Sequence, residues 1–177
     1  AWGTKGQLYA STDTGLLQTP IFKEFLEKTP LKVYDFKRAK VLLSHLGITL
    51  QNPAFDSRLA KYLLSTVEDN EISTIASLYS QIALPLDEVV YGKGAKKAIP
   101  EKTALLEHLA RKVAVLLDTE EPMIEQLQAH DQLALLYDMA QPLAAGLAKM
   151  EIAGIKVERQ TLQDMQVENE VVLERLT

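Results

Sequence analysis

Apolar side chains recur every three or four positions through the last third of the chain. Between residues 133 and 150 this spacing predicts one apolar face of a helix, made of Leu133, Leu136, Met139, Leu143, Leu147 and Met150. Pro142 lies inside this helix and predicts a kink, because proline lacks an amide donor and crowds the carbonyl of Asp138. Gly154 is expected to end the helix, before an extended segment, Ile155–Val157, and a second amphipathic helix running toward Thr177. Both helices expose apolar faces that other elements must cover.

The first two thirds of the chain predict short strands and helices. Two β segments, Ala1–Thr4 and Gln7–Ser11, flank Lys5-Gly6, where glycine supplies the positive φ of a hairpin turn. Thr19-Pro20 starts a helix that ends at Thr29-Pro30, and Gly47 ends the next helix at its C′ position. The remaining predicted elements are the strands Leu31–Tyr34 and Ile48–Leu50 and the helices Phe36–Leu46, Phe55–Leu64, Glu71–Tyr79, Lys102–Leu117 and Glu120–Gln128, the last with Pro122 in its first turn. This order predicts an α/β layer followed by an all-α second half.

The least regular segment is Leu84–Pro100, which we predict to be a surface loop. It contains two glycines among the lysines Lys93, Lys96 and Lys97, but it lacks both the spacing and the hydroxyl of a phosphate-binding P-loop. Most such runs of lysine are simply solvated, and some contact a phosphate backbone. A weak nucleic-acid contact through these three lysines is therefore one hypothesis.

The composition is that of an ordinary soluble globular protein, and it excludes several classes of site. The formal net charge is −5, so only a local basic patch could attract nucleic acid. The chain has no cysteine, which excludes disulfides and thiolate metal sites and fits a cytoplasmic location. No apolar run approaches the roughly 20 residues that span a bilayer, so we expect no membrane partner.

The sequence carries no convincing metal or nucleophile motif of its own. His45, His108 and His130 lie far apart, without a second ligand at zinc spacing. The Asp118-Thr119-Glu120 triplet has the D-x-E form that two-metal nucleases place on a strand, where alternation directs both carboxylates to one face. Here it follows one predicted helix and precedes another, so we interpret it as a junction with acids at a helix N-terminus.

Pro142-Leu143 and the segment Met150–Ile155 resemble the helix that leads from the proofreading domain into the polymerase domain of bacterial family A DNA polymerases, those of Bacillus-like bacteria in particular. The segments Val33–Leu64 and Val90–Leu117 resemble the 3′–5′ exonuclease-type domain upstream of it. The resemblance covers essentially the whole chain.

The resemblance also implies where metal ligands would lie in an active member of the family. The first two acids belong to a strand that would precede Ala1. The third belongs to an Asn-x-x-x-Asp pattern, whose positions fall on Asp35 and Ala39, and the fourth to a Tyr-x-x-x-Asp pattern, which falls on His108 and Lys112. A methyl group and an ammonium group would thus replace two carboxylates. A cation and a divalent ion a few ångströms apart repel by several kcal/mol at an effective dielectric constant near 20. Lys112 is expected to replace the metal as counter-charge for any remaining acid.

The resemblance implies a fold, two domains and a function. Residues 1–128 would be an α/β, RNase H-like exonuclease fold without its N-terminal strand, and residues 129–177 an all-α segment that begins the polymerase thumb. The implied function is an inactive exonuclease-like scaffold in a DNA polymerase acting in replication and repair, with no cofactor in these residues and Mg²⁺ in the polymerase domain. Its partners would be DNA, through the polymerase domain, and the rest of the polymerase by intramolecular packing. The alternatives are an active metal-dependent 3′–5′ exonuclease and a non-catalytic nucleic-acid-binding module.

Overall fold

The computed structural model describes residues 1–67 and 69–176. Two short β pairs lie in its first third, and helices make up most of the remainder. The strands are β1 (Trp2–Thr4), β2 (Gln7–Tyr9), β3 (Lys32–Val33) and β4 (Phe55–Asp56). The α-helices are α1 (Pro20–Lys28), α2 (Phe36–Ser44), α3 (Ser57–Leu64), α4 (Ile72–Tyr79), α5 (Asp87–Tyr91), α6 (Lys102–Ala129), α7 (Gln141–Ala153) and α8 (Arg159–Leu176). Single 3₁₀ turns lie at Thr14–Gln18 and Gly94–Lys96, and a π-helical turn at Leu135–Ala140 precedes α7.

The predicted hairpin is confirmed. Strands β1 and β2 pair antiparallel, with Trp2 opposite Tyr9. Gly6 in the turn has a φ of 92°, a backbone conformation that residues with a Cβ atom rarely adopt. The Trp2 ring stacks on Tyr9 at 5.7 Å and meets the edge of Phe22 at 5.0 Å, so the hairpin packs on α1.

The second pair is parallel and joins segments about twenty residues apart. Val33 of β3 lies opposite Asp56 of β4. The prediction of a strand at Ile48–Leu50 is wrong, because this segment has no regular secondary structure. Ile48 and Leu50 are nevertheless buried in the core. Its apolar residues therefore reflect burial without strand pairing.

Asp56 explains why the helix predicted from Phe55 begins only at Ser57. Its carboxylate caps α3 by accepting from the backbone N–H groups of Arg58 and Leu59, at 3.0 and 3.1 Å. The same carboxylate accepts from the N–H of Phe36, the first residue of α2, at 2.8 Å. Burial raises the pKa of Asp56 to about 6, against the lowering effect of these three hydrogen bonds.

Helix α2 ends as its glycine predicts. The N–H of Ile48 donates to the carbonyl of Leu43 and the N–H of Gly47 to that of Ser44, the two bonds of a Schellman motif. Gly47 has a φ of 69°, the left-handed conformation that this motif requires. The prediction of Gly47 at C′ is confirmed.

Helix α6 is one continuous helix of 28 residues, so the predicted break between Leu117 and Glu120 is wrong. Pro122 lies in its interior and not in a first turn. Buried side chains follow one another every four residues across the predicted break, at Val115, Thr119, Met123 and Leu127. Packing of this stripe against α3 and α4 outweighs the roughly 3 kcal/mol that an interior proline costs.

The segment Leu84–Pro100 is more regular than the predicted loop. It contains the short helix α5 and a 3₁₀ turn; Lys93 lies between them, Lys96 in the turn and Lys97 after it. Asp87 and Glu88 occupy the first turn of α5, where negative charge suits a helix N-terminus.

Helix α7 packs through a different face from the predicted one. Ala144, Ala145 and Ala148 are buried against α2, whereas the predicted apolar stripe is mostly exposed: Met139 (59%), Leu143 (58%), Leu147 (42%) and Met150 (69%). Leu136 is the stripe member that is fully buried. Small side chains let two helix backbones approach closely, so the alanine face makes the contact.

The backbone around Pro142 is adjusted by the π-helical turn before it. The N–H of Gln141 donates to the carbonyl of Leu136, five residues earlier, which widens the helix where the proline ring would crowd Asp138. Gly154 ends α7 with a φ of 71°, as predicted. The segment 154–158 is irregular, so no strand forms at Ile155–Val157, and α8 then begins at Arg159 with each residue to Leu176 exposed. Thr177 lies outside the described residues.

Ala148 tests which face of α7 meets the core. Ala148→Leu should lower the free energy of unfolding by about 1–3 kcal/mol, because it inserts volume into a filled interface. Leu147→Ala on the neighbouring face should cost less than about 1 kcal/mol. Urea denaturation of both variants measures the difference. A larger loss from Leu147→Ala would show that the leucine face packs on the core in solution.

Asp56 should make stability fall as the pH rises. Because the folded pKa is raised, the folded chain holds this proton more tightly than the unfolded chain, which loses it first. Between pH 4 and pH 7 the free energy of unfolding should therefore decrease, relative to Asp56→Asn, by on the order of 2 kcal/mol. Urea denaturation across this range, with Asp56→Asn as the reference that cannot titrate, isolates this effect. Parallel curves for the two proteins would contradict it.

Candidate functional site

The first pair of predicted site residues lies on α2. Asp35 caps this helix by accepting from the N–H of Arg38 at 3.0 Å, and its second oxygen forms an ion pair with Arg58 of α3. Ala39 packs its methyl group against the core formed around Leu26 and Phe36. The Asp35 carboxylate is thus engaged in joining two helices, and Ala39 contributes only packing.

The second pair lies one turn apart on α6 and meets an acid that the sequence reasoning missed. The Lys112 ammonium lies 2.6 Å from Oδ1 and 2.8 Å from Oδ2 of Asp87 on α5. His108 Nε2 lies 2.8 Å from Oδ1 of the same carboxylate. Asp87 precedes His108 by 21 residues, within the segment predicted to be a loop, so no local pattern connects it to α6.

Tyr91 completes this contact. It lies one turn after Asp87 on α5, just as Lys112 lies one turn after His108 on α6. Its ring meets the edge of His108 at 5.6 Å between centroids, and the Lys112 ammonium lies 5.7 Å from its centre, within cation–π range. We call these four residues, Asp87, Tyr91, His108 and Lys112, the clasp. The sequence contained a signal for this contact. Asp87 and Tyr91 are four residues apart, as are His108 and Lys112, so each pair lies on one face of its helix.

Within the clasp, the Asp87 carboxylate carries the negative charge and the Lys112 ammonium is its counter-charge. Burial acts to raise the pKa of Asp87, but the hydrogen bonds from Lys112 and His108 outweigh it, and the pKa is lowered. Burial and the Asp87 charge raise the pKa of Tyr91. His108 is 3% exposed, and its Nδ1 has no hydrogen-bond partner within the described residues. The imidazole therefore bonds through Nε2 alone.

The structure does not bring the two predicted pairs into one network. Asp35 pairs with α3, whereas Lys112 and His108 pair with α5, and the two groups share no hydrogen-bond or ion-pair partner among the described residues. The arrangement joins helices by hydrogen bonds and ion pairs, and it presents no converging set of carboxylates.

The other candidate residues also have structural partners. Asp118 hydrogen-bonds Ser80 and Glu120 pairs with Lys32, so the two acids of the D-x-E triplet engage different elements from within α6. The prediction that they form a helix junction is wrong, since two residues apart on one helix they point in different directions. His45 is exposed, and His130 Nδ1 lies 2.7 Å from the carbonyl of Gln126. Across residues 1–67 and 69–176, no three carboxylate or imidazole groups are placed to share a metal ion.

The three lysines lie on an exposed loop after α5. Lys93 pairs with Glu88 at 3.1 Å, and no carboxylate within the described part of the chain pairs with Lys96 or Lys97. Gly92 and Gly94 both have positive φ, at 79° and 57°, so the turn depends on glycine.

An apolar cleft of about 1120 Å³ opens beside β3, and its lining does not include Lys93, Lys96 or Lys97. Its walls come from the hairpin, α1, β3 and the first half of α6, and they include Trp2, Phe22, Phe25, Leu31, Val33, Leu105, Leu109, Val113 and Leu116. Strand β4 pairs with one edge of β3, and none of the strands that the structure describes pairs with the other edge.

Comparison with known proteins places this chain in a family. Residues 1–119 match the family described as "DNA polymerase I, ribonuclease H-like domain". The chain is 65% identical over 177 residues to DNA polymerase I of Streptococcus pneumoniae strain R6, covering 100% of this chain and 20% of that protein. It is 48% identical over 177 residues to DNA polymerase I of Lactococcus lactis strain IL1403 (100% of this chain, 19% of the relative) and 37% identical over 166 residues to that of Geobacillus stearothermophilus (93% and 19%).

The predicted family is confirmed, as is the α/β, ribonuclease H-like class of its first part. The chain spans about a fifth of the length of these relatives. None of the helices that the structure describes is both long enough and apolar enough to cross a membrane. On the match over residues 1–119 and the identity to these relatives along its whole length, the chain belongs to the DNA polymerase I family.

Proposed function

We propose that this chain is an inactive 3′–5′ exonuclease-like scaffold, followed by the first helices of the polymerase domain, within a DNA polymerase I. Residues 1–128 would form the exonuclease-like domain and residues 129–177 the start of the thumb. The parent would synthesise DNA during replication and repair in the cytoplasm, with Mg²⁺ held by its polymerase domain. DNA would be its substrate and partner through that domain.

The observation that carries the proposal is the ion pair between Lys112 and Asp87. Two-metal hydrolysis needs several carboxylates around a pair of divalent ions. By resemblance, Ala39 and Lys112 occupy two ligand positions, and the Lys112 ammonium already neutralises a carboxylate at 2.6 Å. These residues do not fit a divalent cation. The pair instead joins α5 to α6, which is a structural role.

Two exposed apolar surfaces support a scaffold role. The leucine and methionine face of α7 is exposed at Leu143, Leu147 and Met150, and the cleft beside β3 is lined by apolar side chains. Contiguous apolar surfaces of this kind are usually covered by other protein. We propose that the remainder of the polymerase covers the α7 face. A further strand of the ribonuclease H-like sheet would fill the cleft and pair with the free edge of β3.

The inactive state predicts the outcome of a nuclease assay. A 5′-labelled single-stranded oligonucleotide incubated with the purified chain and Mg²⁺ or Mn²⁺ should keep its full length, because two ligand positions hold Ala39 and Lys112. Gel electrophoresis over a time course measures trimming. A buffer blank and an EDTA sample serve as controls, and metal-dependent trimming that EDTA abolishes would favour the active exonuclease instead. Primer extension by the same chain should likewise stay at the blank.

The counter-charge role of Lys112 predicts a measurable coupling energy. Lys112→Met and Asp87→Asn should each destabilise the fold, and the double variant should lose less than the sum of the two. The coupling energy should be about 1 kcal/mol, since Lys112 is largely buried and Asp87 is half-exposed. Urea denaturation of the four proteins gives this value. The exposed pair Lys28 and Glu24 on α1 offers a matched control, for which the coupling should be smaller. Strict additivity at Lys112 and Asp87 would contradict the assigned role.

A further inference from the structure

The loop after α5 follows a short helix that the clasp joins to α6. Asp87 and Tyr91 sit at the two ends of α5, and both contact α6 through His108 and Lys112. Because α5 is only five residues long, its own hydrogen bonds would not keep it folded. The contacts to α6 therefore determine where the chain leaves α5 and where the next residues project.

The loop is also closed by its own backbone. The N–H of Ala98 donates to the carbonyl of Tyr91 at 2.7 Å, and the N–H of Lys97 to that of Gly94 at 3.1 Å. A Cβ on Gly92 would lie 2.4 Å from the carbonyl oxygen of Lys96, so glycine is required where the two arms cross. We call Gly92–Lys97 the lysine loop. The residues on either side of the lysine loop, Tyr91 and Ala98, are thus joined by a backbone hydrogen bond.

The lysine loop concentrates positive charge in an acidic chain. The loop carries three lysines and no acidic residue, whereas the whole chain has a net charge of −5. Lys93, Lys96 and Lys97 are exposed, and of these only Lys93 has an acidic partner within the described residues, Glu88. Several ammonium groups held close together on a fixed turn attract phosphates more strongly than the same charges spread over a surface.

We propose that the lysine loop contacts the phosphodiester backbone of duplex DNA and that the clasp holds it in position to do so. Single-strand binders usually add aromatic platforms for base stacking. The ring of Tyr91, which directly precedes the lysine loop, is engaged with His108 and Lys112. Phosphate contact alone favours the duplex, which carries one charge for about every 1.7 Å. The proposal rests on the proposed function only in taking DNA as the partner, and it is independent of the nuclease result.

The first test removes the charge of the loop. Binding of the 177-residue chain to a fluorescein-labelled duplex of about 20 base pairs is measured by anisotropy between about 25 and 200 mM NaCl. Replacing Lys93, Lys96 and Lys97 by Gln should weaken binding at least about tenfold at low salt. The same change should make the slope of the logarithm of the association constant against log[NaCl] less negative by about 2–3. Lys23, Lys28 and Lys37, replaced by Gln together, make the same change in net charge elsewhere and should alter affinity less than about threefold.

The second test separates position from charge. Asp87→Asn makes the chain less acidic, so charge alone predicts tighter DNA binding, whereas loss of the clasp should weaken binding about threefold or more. Tyr91→Leu leaves the charge unchanged and should act in the same direction, which keeps the test decisive if Asp87→Asn fails to fold. Amide hydrogen exchange at Ala98 should accelerate in both variants, since its bond to Tyr91 is loosened.

Several results would overturn the proposal. These are no measurable binding at about 25 mM NaCl, equal losses in the loop and control triple variants, or unchanged or tighter binding by both clasp variants. Displacement of the duplex by poly-glutamate as effective, charge for charge, as by unlabelled duplex would identify a general anion surface and not a DNA contact. None of these outcomes bears on whether the chain hydrolyses DNA, so the scaffold proposal stands or falls separately.

Discussion

The carboxylate of Asp56 is the contact on which the arrangement of the early helices depends. It accepts hydrogen bonds from the N–H groups of Phe36, Arg58 and Leu59, and so it joins the N-termini of α2 and α3 at the end of the β3–β4 pair. Helix N-termini carry partial positive charge, which favours an acid between them, while burial of that acid works in the opposite direction. Helix α2 then supports α7, and α3 supports α6, so both halves of the core extend from this point.

Helix α6 is the second organising element, and its continuity matters for the site. Its buried stripe packs on α3 and α4, and its first half carries the clasp that holds α5. A break near Pro122 would have divided the helix into two units with separate orientations. One rigid helix instead connects the core to the contacts around Asp87.

The two residues that the resemblance aligns with metal-ligand positions contact their neighbours in different ways. Ala39 adds a methyl group to the core, and Lys112 forms an ion pair with an acid from another helix. The partly buried ammonium needs a counter-charge, because burying a charge without one is costly. Asp87 supplies it, with His108 and Tyr91 as further contacts. The same contacts join α5 to α6 immediately before the lysine loop.

The sequence by itself determined the features that depend on neighbouring residues. The hairpin at Gly6, the end of α2 at Gly47 and the end of α7 at Gly154 follow from glycine's access to positive φ, and the apolar spacing predicted the helices that carry Ala39 and Lys112. Only the tertiary structure decided that α6 continues through Pro122, that α7 packs by its alanines, and that Asp87 is the partner of Lys112. These three outcomes depend on contacts between elements distant in sequence. Packing across such contacts can outweigh a local helix breaker, select a smaller apolar face over a larger one, and bring together charges that lie 25 residues apart.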